Sequence, residues 1–273
     1  MIWLAAAAAD AGVKFIRGDV MVSVKGGQVI HGAAPLDLVL QKVDGIQSLL
    51  FRTVEMLFDR PFRRRGSPTI DIQEMFKPWL VQAPAGSYQF AVRMQEPEQG
   101  MLFLNARPKL ERVTATFFQI LRAAATAPDS ELAAIVPNEQ YRDAFLNLSR
   151  NLAPTGKAFN QLDVSEASAP TESLVSLSLD SRQGLNAALR KIRPAPLSQD
   201  ETVQIRGVLR AVHLDQDWLE VTTTDEPEPR HIKIVEAGEA LDDVIGPMVN
   251  RRVIAHVIRR GQKNVYKDIE TEE

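Results

Sequence analysis

From Val203 to Ile269 the chain keeps a rhythm that few folds accommodate: short strand-forming runs cut by turn residues. The first run carries Val203, Ile205, Val208, Leu209, Val212 and Leu214, and it breaks at Asp215-Gln216-Asp217. It resumes as Trp218-Leu219-Glu220-Val221-Thr222, breaks at Asp225-Glu226-Pro227-Glu228-Pro229, and resumes as His231-Ile232-Lys233-Ile234-Val235. β-Branched residues fit a pleated, half-buried surface, whereas Asp and Pro favour reversals. Ala240, Leu241, Val244 and Ile245 then share a helical face that Gly246-Pro247 stops. Arg252 to Arg260 and Asn264 to Ile269 read as two further strands, joined across Arg260-Gly261-Gln262-Lys263.

Three strands, a helix and two strands thus fill about seventy residues. This order resembles that of the OB-fold, a five-stranded, partly open barrel. The resemblance covers the last quarter of the chain, rests on the order of elements, and brings no residue-level motif. It implies a barrel with one face that takes single strands or other ligands.

The rest of the chain predicts an α+β domain. Val20, Val22 and Val24 alternate with polar neighbours, and Gly26-Gly27 offers the positive-φ pair of a tight hairpin returning through Gln28-Val29-Ile30. The strongest helical period follows: Leu36, Val39, Leu40, Val43, Ile46, Leu50, Val54, Leu57 and Phe58 predict a long amphipathic helix from Pro35 to Phe58, with Gly45 its weak point. Tyr88 to Gln95 alternates as a strand, and Met101 to Leu104 is a candidate neighbour. Helices are expected from Pro108, over Glu131–Val136, and from Pro137 to Leu152, then strands at Ala158–Ser165 and Ser173–Leu179 and a last helix capped by Asp180. Strands flanking a helical middle argue against a doubly wound parallel sheet. Residues 193–200 (Arg193-Pro194-Ala195-Pro196-Leu197-Ser198 and on) form the best linker. The expected division is therefore 1–192 for the α+β domain, with 1–12 a leader or short helix, and 201–273 for the OB-like barrel.

Composition narrows the classes. At 273 residues two domains are the default, and 45% hydrophobic with 25% charged residues is ordinary for a globular chain. The absence of Cys removes disulfide frameworks, thiolate metal sites and a Cys nucleophile. No run approaches eighteen apolar residues, and the alanine-rich start lacks a basic flank, so no membrane contact is expected and the location is read as cytoplasmic. Residues 201–273 hold 10 Lys or Arg against 15 Asp or Glu, which argues against a general polyanion binder. Within them, Arg251 to Lys267 carries six basic residues and no acidic one.

Catalytic signatures are missing. No G-x-G-x-x-G follows a strand, Thr155-Gly156-Lys157 has only the tail of a phosphate loop, and neither Gly66-Ser67 nor Gly86-Ser87 forms a nucleophile elbow. His31, His213, His231 and His256 lack the spacing of a metal site, and Asp215/Asp217 at a reversal reads as turn chemistry. No catalytic residue, metal or cofactor is therefore expected.

Two basic features remain. Arg60, Arg63, Arg64 and Arg65, with Phe62 among them, suit either a phosphate clamp or a solubilising loop that pairs at most with acids of its own 1–192 domain. Arg251, Arg252, Arg259, Arg260 and Lys263 line one barrel edge, with Tyr266 and Trp218 as stacking candidates. The leading expectation is a non-catalytic assembly module with a protein partner, homo-oligomerisation being open. The alternatives are a nucleic-acid binder using those two features, and an enzyme to be sought around His213, His231, His256 and Asp215.

Overall fold

The computed structural model describes residues 15–16, 19–30, 32–81, 88–95, 107–192, 201–223, 228–237 and 242–272. The leader, the linker, His31 and the strand expected at Met101–Leu104 lie outside them. The fold is mixed α and β, in two compact units: Met1–Phe62 with Pro68–Leu185, and Arg63–Ser67 with Asn186–Glu273.

The first unit is built on an antiparallel sheet in the order β2-β3-β1-β4-β5. Its strands are β1 (Val20–Lys25), β2 (Pro78–Val81), β3 (Gln89–Met94), β4 (Gln161–Glu166) and β5 (Val175–Leu177). Alternation sets the buried side: Val20, Val22 and Val24 of β1, Phe90 and Val92 of β3, and Leu162 and Val164 of β4 are all at most 4% exposed. Helices α1 (Leu36–Leu57), α3 (Arg107–Thr126) and α5 (Glu139–Leu152) pack on one another, and α3 also packs on β5. Short helices α2 (Ile70–Met75) and α4 (Glu131–Ile135) and the longer α6 (Leu179–Ile192), of which the residues from Asn186 on are counted in the second unit, complete the set.

Three local readings need correction. Gly26 and Gly27 do adopt φ of 74° and 63°, but no hairpin follows, because β1 pairs with β3 and β4. The glycines instead admit the chain before β4: a Cβ on Gly27 would sit 2.4 Å from the Ala158 carbonyl oxygen. The stripe on α1 is buried at Val39, Ile46, Leu50 and Val54 but uncovered at its start. Leu36 and Leu40 are 72% and 51% exposed, while Lys42, Arg52 and Glu55 are buried, and α3 and α5 both pack on this helix, in which every residue from Leu49 to Glu55 is buried. Gly45 marks an approach rather than a weakness, since a Cβ there would lie 2.8 Å from Leu152 Cδ2. Helix α5 opens just after Pro137, as expected, with Asn138 as its cap, the side chain accepting from the Gln140 and Tyr141 amides at 2.9 and 3.1 Å.

The second unit closes β6 (Glu201–His213), β7 (Trp218–Thr223), β8 (His231–Val235), β9 (Arg252–Arg260) and β10 (Lys263–Thr271) into a barrel in the order β10-β8-β7-β6-β9. Every pairing is antiparallel except β8 with β10. Length lets β6 serve both neighbours, and its register shifts between Leu209 and Ala211 against β7. Gly207 permits that fit: a Cβ there would lie 2.1 Å from the Thr222 carbonyl oxygen. Leu209, Leu219, Val221, Ile234, Val253, Ala255, Val257 and Ile269 fill the interior with no exposure. Between β8 and β9 lie α7 (Asp242–Ile245) and a 3-10 turn at Gly246–Met248, burying Val244, Ile245 and Met248. Burying each such side chain is worth about 1.5–3 kcal/mol.

Candidate functional site

The link from β6 to β7 is held by its own side chains. After a 3-10 turn at Leu214–Gln216, Asp217 takes φ 56°, a region Asp tolerates better than most residues. The Gln216 amide donates to His213 Nδ1 at 3.2 Å, and Trp218 Nε1 donates to Gln216 Oε1 at 3.1 Å. Asp215 and Asp217 are left presenting their carboxylates outward. Asp242 and Asp243, which open α7, supply two more.

All four aspartates contact the Arg63–Ser67 loop, which belongs to the same unit. Arg65 Nη1 lies 3.3 Å from Asp215 Oδ1 and its Nη2 3.0 Å from Asp217 Oδ1. Arg63 Nη2 lies 3.7 Å from Asp243 Oδ2, and its Nη1 folds back to donate to the Gly66 carbonyl. Backbone takes part as well. The Gly66 amide donates to Asp242 Oδ2 at 2.9 Å, and the Asp242 amide donates to the Arg64 carbonyl at 3.4 Å. Gly66 reaches this geometry with φ 76°.

Exposure ranks these contacts. Arg63 and Asp243 are 12% and 10% exposed, whereas Asp215 is 88% and Asp217 55% exposed. Ion pairs open to water contribute about 0–1 kcal/mol, so the sheltered Arg63 pair and the backbone bonds carry most of the hold. Arg64 points no contact at the aspartates beyond its carbonyl, and its side chain is exposed.

The second basic feature is dispersed along β9 and β10. Arg251 precedes β9, Arg252 begins it, and Arg259, Arg260 and Lys263 are exposed around the β9–β10 turn. Arg260 pairs with Glu236 at 3.6 Å, and Tyr266 is half-buried on β10 opposite Val257. Trp218 is flanked from both neighbouring strands: His213 of β6 stacks on it at 5.6 Å, and Lys233 of β8 lies 4.7 Å from its ring centre. The described histidines are not brought together. His231 Nδ1 lies 3.1 Å from both Glu220 and Thr222, and His256 Nε2 lies 3.2 Å from Glu270. Among the described residues no group of three His, Cys, Asp or Glu could hold a metal ion, and no helix is long and apolar enough to cross a membrane.

One polar cluster in the first unit escaped the sequence reading. Asp163 on β4 accepts from Lys25 Nζ at 2.5 Å, Gln161 Nε2 at 2.7 Å and Ser176 Oγ at 2.6 Å. Burial pushes its carboxyl up, but those three hydrogen bonds and the Lys25 charge outweigh it and hold the group below the usual carboxylate range. Its only sequence signal was the polar side of two alternating strands.

Comparison with protein-family models, with curated proteins and with solved structures finds no match to this chain.

Proposed function

We propose that this chain is a non-catalytic binding protein whose second unit, an OB-like barrel, contacts a protein partner. The observation that carries this reading is the docked loop: two arginines and two backbone groups of one short segment meet four aspartates of the barrel unit. The order of strands around the barrel and the helix between its third and fourth strands agree with an OB-like module. Such modules take ligands on the face of strands two and three and at the loops after strands one and four. The β6–β7 loop bearing Asp215 and Asp217 is the first of those loops. Site-specific photo-crosslinking in the native host tests the reading, with the probe at Gln216 beside the aspartates or at Glu131 on α4. A protein adduct from position 216 alone, lost in the D215N/D217N/D243N variant, supports it. Equal adducts from both positions, or adducts indifferent to the aspartates, contradict it.

The nucleic-acid reading retains one favourable observation: Arg259, Arg260 and Lys263 are exposed at the β9–β10 turn, the loop after strand four. The Arg63–Arg65 loop lends it less, since Arg63 and Arg65 already face carboxylates. Labelled single-stranded oligonucleotides titrated at two salt concentrations separate the readings. Phosphate contacts weaken as salt rises, with a slope set by their number. Binding that falls steeply with salt and is lost in R259A/K263A would favour nucleic acid over a protein partner.

A further inference from the structure

We infer that the four aspartates form a recognition site for an arginine-bearing peptide, held in this structure by the chain's own Arg63–Ser67 loop as an internal, displaceable occupant. The inference rests on the partner-binding reading above and names the chemistry of the partner.

The seated loop shows what the site reads. Arg65 spreads its two terminal nitrogens over two separate carboxylates, a fork that a lysine ammonium cannot reproduce. Arg63, two residues earlier, reaches a third carboxylate in a sheltered position. The Gly66 amide and the Arg64 carbonyl are both bonded by Asp242, so the main chain is read along with the charge. A ligand for this site is therefore a peptide with arginines two apart followed by glycine, rather than a generic cation or a phosphate, which the four carboxylates repel. The surplus of acidic residues over residues 201–273 has the matching sign.

The occupant is also positioned to yield. Arg65, Asp215 and Asp217 are 37%, 88% and 55% exposed, so that half of the contact is weak and sensitive to salt. An intrachain loop competes at an effective concentration on the order of millimolar, and a partner peptide that binds more tightly than this displaces it.

A fluorescein-labelled peptide of residues 61–68 is titrated into the full chain by anisotropy, in three forms. The wild type binds weakly, because the loop fills the site. The R63A/R65A chain is expected to bind at least tenfold more tightly, and the further changes D215N/D217N/D243N are expected to remove that gain. A peptide with lysine in place of all three arginines is expected to bind the R63A/R65A chain more weakly than the native peptide. Should R63A/R65A unfold, R65A alone, at the exposed position, is expected to show a smaller gain of the same sign. An R63A/R65A chain that melts as the wild type does but binds no better overturns the proposal, as does binding that survives loss of the aspartates or is equal for the lysine peptide. If the peptide fails while adducts at Gln216 still depend on the aspartates, the partner reading stands and only its arginine chemistry falls.

Discussion

Arg63 and Asp243 face each other at 3.7 Å with 12% and 10% of their side chains exposed, in a unit where the other loop contacts stand open to water. Shelter strengthens a charge pair and raises the cost of leaving one partner alone. A double-mutant cycle on Arg63 and Asp243, read by urea unfolding, is expected to give a coupling of about 1 kcal/mol. The same cycle on Arg60 and Asp71, 42% and 47% exposed, is expected near zero. Equal couplings would show that shelter plays no part.

The barrel depends on an absent side chain at position 207. A Cβ there meets the Thr222 carbonyl oxygen at 2.1 Å and the carbonyl carbon at 2.7 Å, both backbone atoms of the adjoining strand. G207A is expected to destabilise by about 3 kcal/mol, the upper part of the usual cost of overpacking, since backbone cannot turn aside as a rotamer can. Thermal unfolding checks it, and a wild-type melting temperature would count against the observed closeness of β6 and β7.

Two helical glycines answer the same substitution differently. Nothing lies within 4 Å of a Cβ on Gly184 in α6, so G184A is expected to stabilise by about 0.5–1 kcal/mol through helix propensity alone. On Gly45 a Cβ meets Leu152, a side chain 1% exposed in the α1–α5 contact, so G45A is expected to gain less than G184A or to lose stability. Urea midpoints of the two variants decide whether their order is as stated.

Asp163 sets part of the acid limit of the first unit. Its folded-state carboxyl titrates below the ordinary range, so the group favours folding above its unfolded pKa of about 3.9. That contribution is lost as pH falls through the lower folded value. At pH 7, D163N is expected to cost about 1.5–3 kcal/mol, the worth of hydrogen bonds to a charged group. The difference from wild type is expected to narrow below about pH 4, as Asp163 of the unfolded chain takes up its proton before the folded one does. Urea unfolding at pH 7 and pH 3 measures both, and an unchanged gap would contradict the assignment.

What could be read from the sequence was local. The alternation of Leu219 and Val221 with Trp218 and Glu220 marked β7 and its inner face, and Asp215-Gln216-Asp217 marked the turn before it. Closure was expected only from the order of elements and no residue marked it, because it depends on pairings such as Gln204 with His256 and Val235 with Val265 that no turn connects. The same limit hid the filled site. Arg65 and Asp217 are 152 residues apart, and a basic loop carries no sign of which acids it meets. Gly26-Gly27 showed its positive φ but not its neighbour Ala158, and Leu36 and Leu40 completed a period that packing leaves uncovered. The Asp163 cluster draws on Lys25, Gln161 and Ser176 from three strands, and it exists only once the sheet has formed.

Hydrogen exchange at the Gly66 amide tests most directly whether the arginine loop is a bound segment of the barrel unit. This amide sits in an exposed loop and has the Asp242 carboxylate as its acceptor at 2.9 Å. Exchange slower than that of an unstructured peptide of the same sequence is expected, returning to the unstructured rate in D242A and speeding up in D215N/D217N. Exchange at the unstructured rate in the wild-type chain would mean that the loop is not held, and the binding reading built on it would fall.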